Sequence, residues 1–137
     1  MSKTTVYEIK VAFGDCDPAG IVFFPNFSKW MDAASLHFFM ECGVPPWREL
    51  EKQTGVLGDP LLEIHTRFLA PATYGETLHI STSVQEWSSK VFTQKHVVRR
   101  GDTVLCEGTE KRAFCMRVEG GRIKAVAIPE AIRRMCS

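Results

Sequence analysis

Pro25-Asn26-Phe27-Ser28-Lys29-Trp30-Met31-Asp32-Ala33-Ala34-Ser35-Leu36-His37-Phe38-Phe39-Met40-Glu41-Cys42 is the stretch on which the fold turns. Phe27, Trp30, Met31, Ala34, Phe38 and Cys42 recur at three- and four-residue spacing, with Lys29, Asp32, Ser35 and Glu41 between them. That spacing predicts a long amphipathic helix with one bulky apolar stripe. Both ends are written in the sequence. Pro25 suits a first helical turn, Gly43 suits the left-handed residue past the end, and Pro45-Pro46 bars continuation.

Outward from the helix the chain alternates with the period of strands. Residues 6–13 predict a first strand, and residues 61–69 a second, introduced by Gly58-Asp59-Pro60. After Ala70-Pro71-Ala72 and a Tyr74-Gly75-Glu76 turn, residues 77–87, 91–100 and 103–116 are joined by short polar connections and predict an antiparallel meander. Residues 47–53 add a short helical turn, and residues 123–128 a last strand before a short helix after Pro129. The meander strands exceed the usual ~5–6 residues, so the sheet must twist and curl. The helix over 25–42 is the element bulky enough to fill the curve. The expectation is an α+β fold, a curled antiparallel sheet of five to six strands wrapped around one long central helix, in a single domain spanning 1–137.

Composition narrows the function classes. With 45% apolar and 24% charged residues the chain reads as an ordinary globular protein, and no apolar run approaches the ~20 residues of a membrane span. Met-Ser-Lys-Thr-Thr is followed by no apolar segment of a secretory signal, so the cytoplasm is the expected location. Five cysteines without close pairs argue against a disulfide framework and against a Cys-x-x-Cys zinc site. A formal charge of +1 with interspersed signs leaves no nucleic-acid or membrane footprint, so an anionic ligand must be met by a local patch.

Candidate chemistry concentrates in Gly14-Asp15-Cys16-Asp17-Pro18-Ala19-Gly20, a loop between the first strand and the helix. An aspartate before proline commonly just starts a turn by accepting from its own backbone. The setting favours more. Apolar Ile21-Val22-Phe23-Phe24 and a helix N-terminus follow, so a carboxylate there would be partly desolvated beside free amides that offer an oxyanion site. One such donor is typically worth ~3 kcal/mol in a transition state. An Asp-x-Asp after an apolar strand also occurs in magnesium-dependent phosphoaspartate enzymes, but an antiparallel meander does not supply their parallel sheet, and no downstream acidic pair completes a metal site. His37, His65, His79 and His96 stand singly, without metal-ligand spacing. Cys16, between the two acids, could be a nucleophile, but nothing in the sequence places a histidine beside it, and it reads as a small buried residue. Trp47, in a proline-rich loop, suits either core or pocket wall. Lys90, Arg99 and Arg100 sit at hairpin turns and are the basic candidates for a phosphate-bearing ligand, although solvated hairpins show the same pattern. No Walker-type or Gly-x-Gly-x-x-Gly loop is present.

The run Phe13-Gly14-Asp15-Cys16-Asp17-Pro18-Ala19-Gly20-Ile21-Val22-Phe23-Phe24-Pro25-Asn26-Phe27, followed by Trp30-Met31-Asp32-Ala33-Ala34-Ser35, resembles the 4-hydroxybenzoyl-CoA thioesterases of the Pseudomonas type, within the hotdog-fold acyl-CoA thioesterase superfamily. Weaker similarity continues through Cys42-Gly43-Val44-Pro45-Pro46-Trp47-Arg48, Tyr74-Gly75 and Glu86-Trp87. The resemblance implies a hotdog fold and hydrolysis of an aromatic acyl-CoA without metal or cofactor. It implies that Asp17 attacks the thioester carbonyl to form a mixed anhydride, or else activates water as a general base. The backbone amide of Phe24 would polarise the carbonyl, and Asp32 and Trp47 would shape the acyl pocket. Two chains would pair so that the site lies between them, Thr77 contributing from the partner, and two dimers would form a tetramer. Two departures stand out. Pro25 replaces the histidine of related short-chain acyl-CoA thioesterases, which favours the aryl type. Ser88-Ser89-Lys90 is poorer in positive charge than the family's basic cluster, leaving Lys90 as the match for the CoA phosphates. A short-chain aliphatic thioesterase and a non-catalytic acyl-CoA-binding module are the alternatives.

Overall fold

The chain's computed structural model describes residues 3–137. In chain order the elements are β1 (Thr4–Lys10), α1 (Pro25–Glu41), α2 (Trp47–Thr54), β2 (Val56–Gly58), β3 (Leu61–Phe68), β4 (Thr77–Trp87), β5 (Val91–Arg100), β6 (Thr103–Ala113), β7 (Cys115–Arg117), β8 (Ile123–Ala125) and α3 (Glu130–Met135). Five strands form one antiparallel sheet in the order β1-β4-β5-β6-β3, and β2-β7-β8 form a second, small one. The long helix, the meander and the curled sheet follow the sequence expectation.

The helix packs by its apolar spacing, with two corrections: Ser35, expected on the polar side, is buried because it donates to Gln94, and Phe39 joins the stripe. Phe27, Trp30, Met31, Ala34, Ser35, Phe38 and Phe39 are buried, and Asp32, Leu36 and Met40 face outward. Pro25 opens the helix and Gly43, at φ 92°, follows its cap. On the sheet's inner face β5 presents Phe92, Gln94, His96 and Val98, all buried. Phe38 and Phe39 close against Phe92, Phe114 and Trp47, with Phe39 lying 5.5 Å centroid to centroid from Phe92 at an edge-on 80°. Gly108 on β6 lets the helix come close, since a methyl there would meet Met31 Sδ at 2.6 Å.

Three elements differ from expectation by more than a residue, and the short strand β2 over Val56–Gly58 was not expected. The first strand ends at Lys10 and does not reach residue 13, because Phe13–Asp15 tightens into a 3₁₀ turn, with the Ala12 N–H donating to Asp15 Oδ2 at 2.8 Å. The strand over 103–116 is two: Ala113 pairs with β5 in the large sheet, whereas Cys115 pairs with β2 and β8, and buried Phe114 marks the change of sheet. The strand over 123–128 stops at Ala125, after which the Val126 and Ile128 amides donate to Phe114 O and Ser89 O, at 2.8 Å each.

Phe38 is wholly buried between helix and sheet. Phe38→Ala is expected to lower unfolding free energy by about 3–5 kcal/mol. Urea unfolding checks this through a lower midpoint at unchanged slope.

Candidate active site

The two acids of the Asp15–Asp17 loop have different tasks. Asp15 is structural: its Oδ2 accepts from Ala12, and its backbone oxygen accepts from the Phe23 N–H at 2.9 Å and from Asn26 Nδ2 at 2.8 Å, stitching the loop to the helix start. Asp17 bonds through one oxygen only, Oδ1 accepting from the Ala19 N–H at 2.9 Å, in the self-turn that an Asp-Pro pair favours. Its Oδ2 makes no hydrogen bond among the described residues. Around it the Asp17 N–H donates to Ile21 O and the Gly20 N–H to Asp17 O, both at 2.9 Å, a reversal that needs the positive φ of 84° at Gly20. Asp17 lies half-buried in a cleft of ≈ 480 Å³ walled by Phe13 and Tyr74, whose rings meet edge-on at 5.2 Å. The reversal carries Ile21 and Phe24 away to line an adjoining apolar hollow with Phe68 and Leu69, so the wall expected beside the acid is partly supplied by other rings.

Phe24 is the residue before the helix, in helical conformation at φ −54° and ψ −33°, with no side chain capping the turn. The Phe24 N–H has no acceptor among the described residues. It therefore stands as a free donor at the positive end of a helix of 17 residues.

Asp32 and Trp47 come together elsewhere, in a cleft of ≈ 440 Å³ that also takes in Lys29, Ser35, Asp59 and Arg112. Trp47 is held by Phe39 and Phe114 at 5.4 and 6.1 Å. Asp32 is fixed by Arg112, whose Nη2 donates to Asp32 Oδ1 at 2.8 Å. Within one chain this cleft and the Asp17 cleft share no lining residue. Thr77 is exposed at the start of β4, opposite Lys10, next to the turn that carries Tyr74. Lys90 is exposed at the β4–β5 hairpin, far along the sheet from Thr77. Arg133 joins it there, donating to Ser88 O and lying 5.7 Å over the Trp87 ring.

The thioesterase-like superfamily matches residues 11–135 of this chain. The chain is 39% identical to the 4-hydroxybenzoyl-CoA thioesterase of Pseudomonas sp. (strain CBS-3) over the full length of both proteins. The chain belongs to the thioesterase-like superfamily. Its backbone matches the crystal structure of a 4-hydroxybenzoyl-CoA thioesterase mutant, aspartate to asparagine, complexed with 4-hydroxybenzoyl-CoA, at a TM-score of 0.94 and 37% identity over 98% of this chain and 99% of that one. It matches a gentisyl-coenzyme A thioesterase at 0.85 and 35%, over 97% and 100%. The architecture is the hotdog fold.

In this thioesterase-like chain the sequence reading missed the charged network beneath the helix. His96 Nε2 meets Glu110 Oε1 at 2.6 Å, His96 Nδ1 meets Thr82 Oγ1 at 2.7 Å, and Glu110 Oε2 accepts from Arg112 at 3.0 Å, all buried. Burial alone would push the Glu110 carboxyl up, but the hydrogen bond from His96 and the charge of Arg112 outweigh it and hold it below the usual range. Burial pushes Asp59 up to about 7 despite the opposing charge of Arg112, with Asp32 and Glu110 adding to the rise. The sequence held one signal, Glu110 and Arg112 two apart on a strand whose other inward residues are apolar or small. The thiols are a different matter: burial raises Cys42, Cys106, Cys115 and Cys136, which marks them as core residues and not nucleophiles.

Asp59 makes a pH test possible. Unfolded, its carboxyl ionises near 3.8, and folded near 7, so folding takes up a proton in that window. The stability Asp59 contributes is full below about pH 4 and lost as pH rises through about 7. Asp59→Asn is therefore expected to gain stability relative to wild type between pH 4 and pH 8, read by urea unfolding at each pH; a difference independent of pH contradicts the assignment. Glu110 runs the other way, its contribution present at neutral pH and lost below 4.5.

Proposed function

We propose that the protein hydrolyses an aromatic acyl-CoA thioester to the free acid and CoA, with Asp17 as the catalytic carboxylate and the Phe24 amide as the donor to the carbonyl oxygen. The observation that carries this is the pairing of an aspartate having one free oxygen with an unpartnered amide at a helix start. A carboxylate and an oxyanion donor are chemically complete for acyl transfer. Either Asp17 Oδ2 attacks the carbonyl carbon, the C–S bond breaks, the CoA thiolate takes up a proton and water cleaves the resulting anhydride, or Asp17 takes a proton from the water that attacks directly. Two relatives that match over their full length are named for 4-hydroxybenzoyl- and gentisyl-CoA, both aromatic, and this favours an aryl over an aliphatic acyl group.

In this reading Asp32 and Trp47 form the acyl pocket, and Lys90 meets the CoA phosphates. The active form is a homodimer, assembled into a dimer of dimers, with Asp17 of one protomer serving the Asp32 cleft of the other and Thr77 of the partner subunit completing the site. Two observations support the pairing. Asp17 and Asp32 lie in separate clefts of one chain, and β3, an edge strand, is exposed along almost its whole length with Leu62, Ile64 and Phe68 in water. Such an edge is a template for a second strand. We place the protein in the cytoplasm, which suits five free cysteines. One domain spans 1–137.

Two measurements test the proposal. Asp17→Asn is expected to lower kcat for 4-hydroxybenzoyl-CoA by about 10²–10⁴, followed by thiol release; unchanged activity refutes the assignment. Replacing Leu62 and Ile64 together by Lys is expected to leave monomers in analytical ultracentrifugation and to abolish turnover.

A further inference from the structure

The reversal that carries Asp17 is held from outside by the turn between β3 and β4. Inside the reversal the Asp17 N–H donates to Ile21 O and the Gly20 N–H to Asp17 O. From outside, Thr73 Oγ1 donates to Gly20 O at 2.6 Å, and the Val22 N–H donates to Ala72 O at 2.8 Å. Gly20 O accepts no other hydrogen bond among the described residues. Thr73 is itself fixed. Its N–H donates to Glu76 Oε1 at 2.7 Å, the same oxygen accepts from Arg100 Nη1 at 3.1 Å, and that nitrogen also donates to Pro71 O at 3.1 Å. The turn is tied to the end of β1 as well, the Gly75 N–H donating to Val11 O and the Val11 N–H to Glu76 O, each at 2.9 Å. A brace therefore runs from Arg100 on β5 through Glu76 and Thr73 to the Gly20 carbonyl. Tyr74, the next residue, walls the Asp17 cleft, so the turn that shapes the cleft also holds its acid.

We propose that Thr73 is a positioning residue for Asp17: its hydroxyl, set by Glu76 and Arg100, holds the reversal in the one shape that leaves Asp17 Oδ2 free for the substrate. The inference deepens the aromatic thioesterase reading above and rests on it. A half-exposed ion pair such as Arg100 with Glu76 adds little to stability, so the brace acts on geometry more than on folding. Without the Thr73 hydroxyl the Gly20 carbonyl loses its one partner and turns toward water, and Asp17, whose N–H and C=O are both bonded within the same reversal, moves with it. A shift of about 1 Å in a reacting group can cost on the order of 10² in rate. Asp32, Trp47 and Lys90, to which the reading assigns the acyl ring and the CoA phosphates, take no hydrogen bond from the brace. The loss therefore falls on the chemical step and leaves ground-state binding as it was.

The test measures kcat and KM for 4-hydroxybenzoyl-CoA in wild type, Thr73→Val and Thr73→Ser, under conditions where urea unfolding shows each protein folded. Thr73→Val keeps the side-chain shape and loses the hydroxyl. It is expected to lower kcat by about tenfold or more with KM within about twofold of wild type, and Thr73→Ser, which restores the hydroxyl, to bring kcat back. A purely structural Thr73 would lower the urea midpoint of Thr73→Val and leave kcat unchanged, and that result overturns the inference. A serine variant as slow as the valine one overturns it too. Arg100→Met removes the charge behind Glu76 at a half-exposed position and is expected to lower kcat by about threefold, again with little change in KM. Should Thr73→Val fail to fold, an unchanged kcat in Arg100→Met overturns the inference. If wild type hydrolyses no aryl-CoA, the thioesterase reading has failed, and amide hydrogen exchange at Asp17, Gly20 and Val22 decides the positioning separately. Exchange about tenfold faster in Thr73→Val and restored in Thr73→Ser supports it, and equal rates overturn it.

Discussion

Burial of the apolar stripe of α1 against the inner face of the sheet is the constraint from which the other features follow. A helix carrying Phe27, Trp30, Met31, Phe38 and Phe39 on one side has to cover that side, and long antiparallel strands that curl leave a trough of matching length. Once the helix lies in the trough its two ends have fixed places. The first turn lies against the loop that holds Asp17, leaving the Phe24 amide free, and the second turn lies over Arg112, where Asp32 is caught. A rigid rod thus holds the Phe24 amide and Asp32 about 12 Å apart along its axis, at 1.5 Å per residue, so each chain carries one feature of each of two sites.

That packing has a polar seam. Thr82, His96, Glu110, Arg112 and Gln94 all face the helix from the sheet, where apolar residues would bury at less desolvation cost. The seam is tolerated because nearly every group is paired: Ser35 donates to Gln94, His96 and Arg112 share the Glu110 carboxylate, and Arg112 reaches outward to Asp32. Arg112 and Ser35 are the parts that meet the cleft, which connects core electrostatics to the proposed acyl pocket. Removing Glu110 or Arg112 alone would strand a buried charge, so the seam behaves as one unit.

The helix was legible because apolar spacing, an opening proline and a closing glycine all pointed the same way. The meander was legible from alternation and short connections. Two kinds of feature were not. The break at Phe114 is invisible to alternation, since an inward side chain reads the same whether its strand stays in the large sheet or leaves for the small one. Glu110 and Arg112 drew no notice, because charge on a strand ordinarily marks the wet face, and only the register against Gln94 and Phe92 shows them turned inward. Among site residues, the loop and the helix start were legible as a place. The division between a structural Asp15 and a half-free Asp17 was carried by the family resemblance, since spacing cannot show which carboxylate accepts from Ala12 and which retains a free oxygen.

The central claim is that chemistry on Asp17 of one protomer acts on an acyl group held by the Asp32 cleft of another. Subunit mixing tests it most directly. Asp17→Asn and Asp32→Ala proteins, each nearly inactive toward 4-hydroxybenzoyl-CoA alone, are unfolded together, refolded and assayed by thiol release. Shared sites predict that the mixture gains activity neither variant has, because hybrid dimers contain one site with both native residues. Activity equal to the average of the two separate variants would mean that each chain carries a complete site, and would contradict the account.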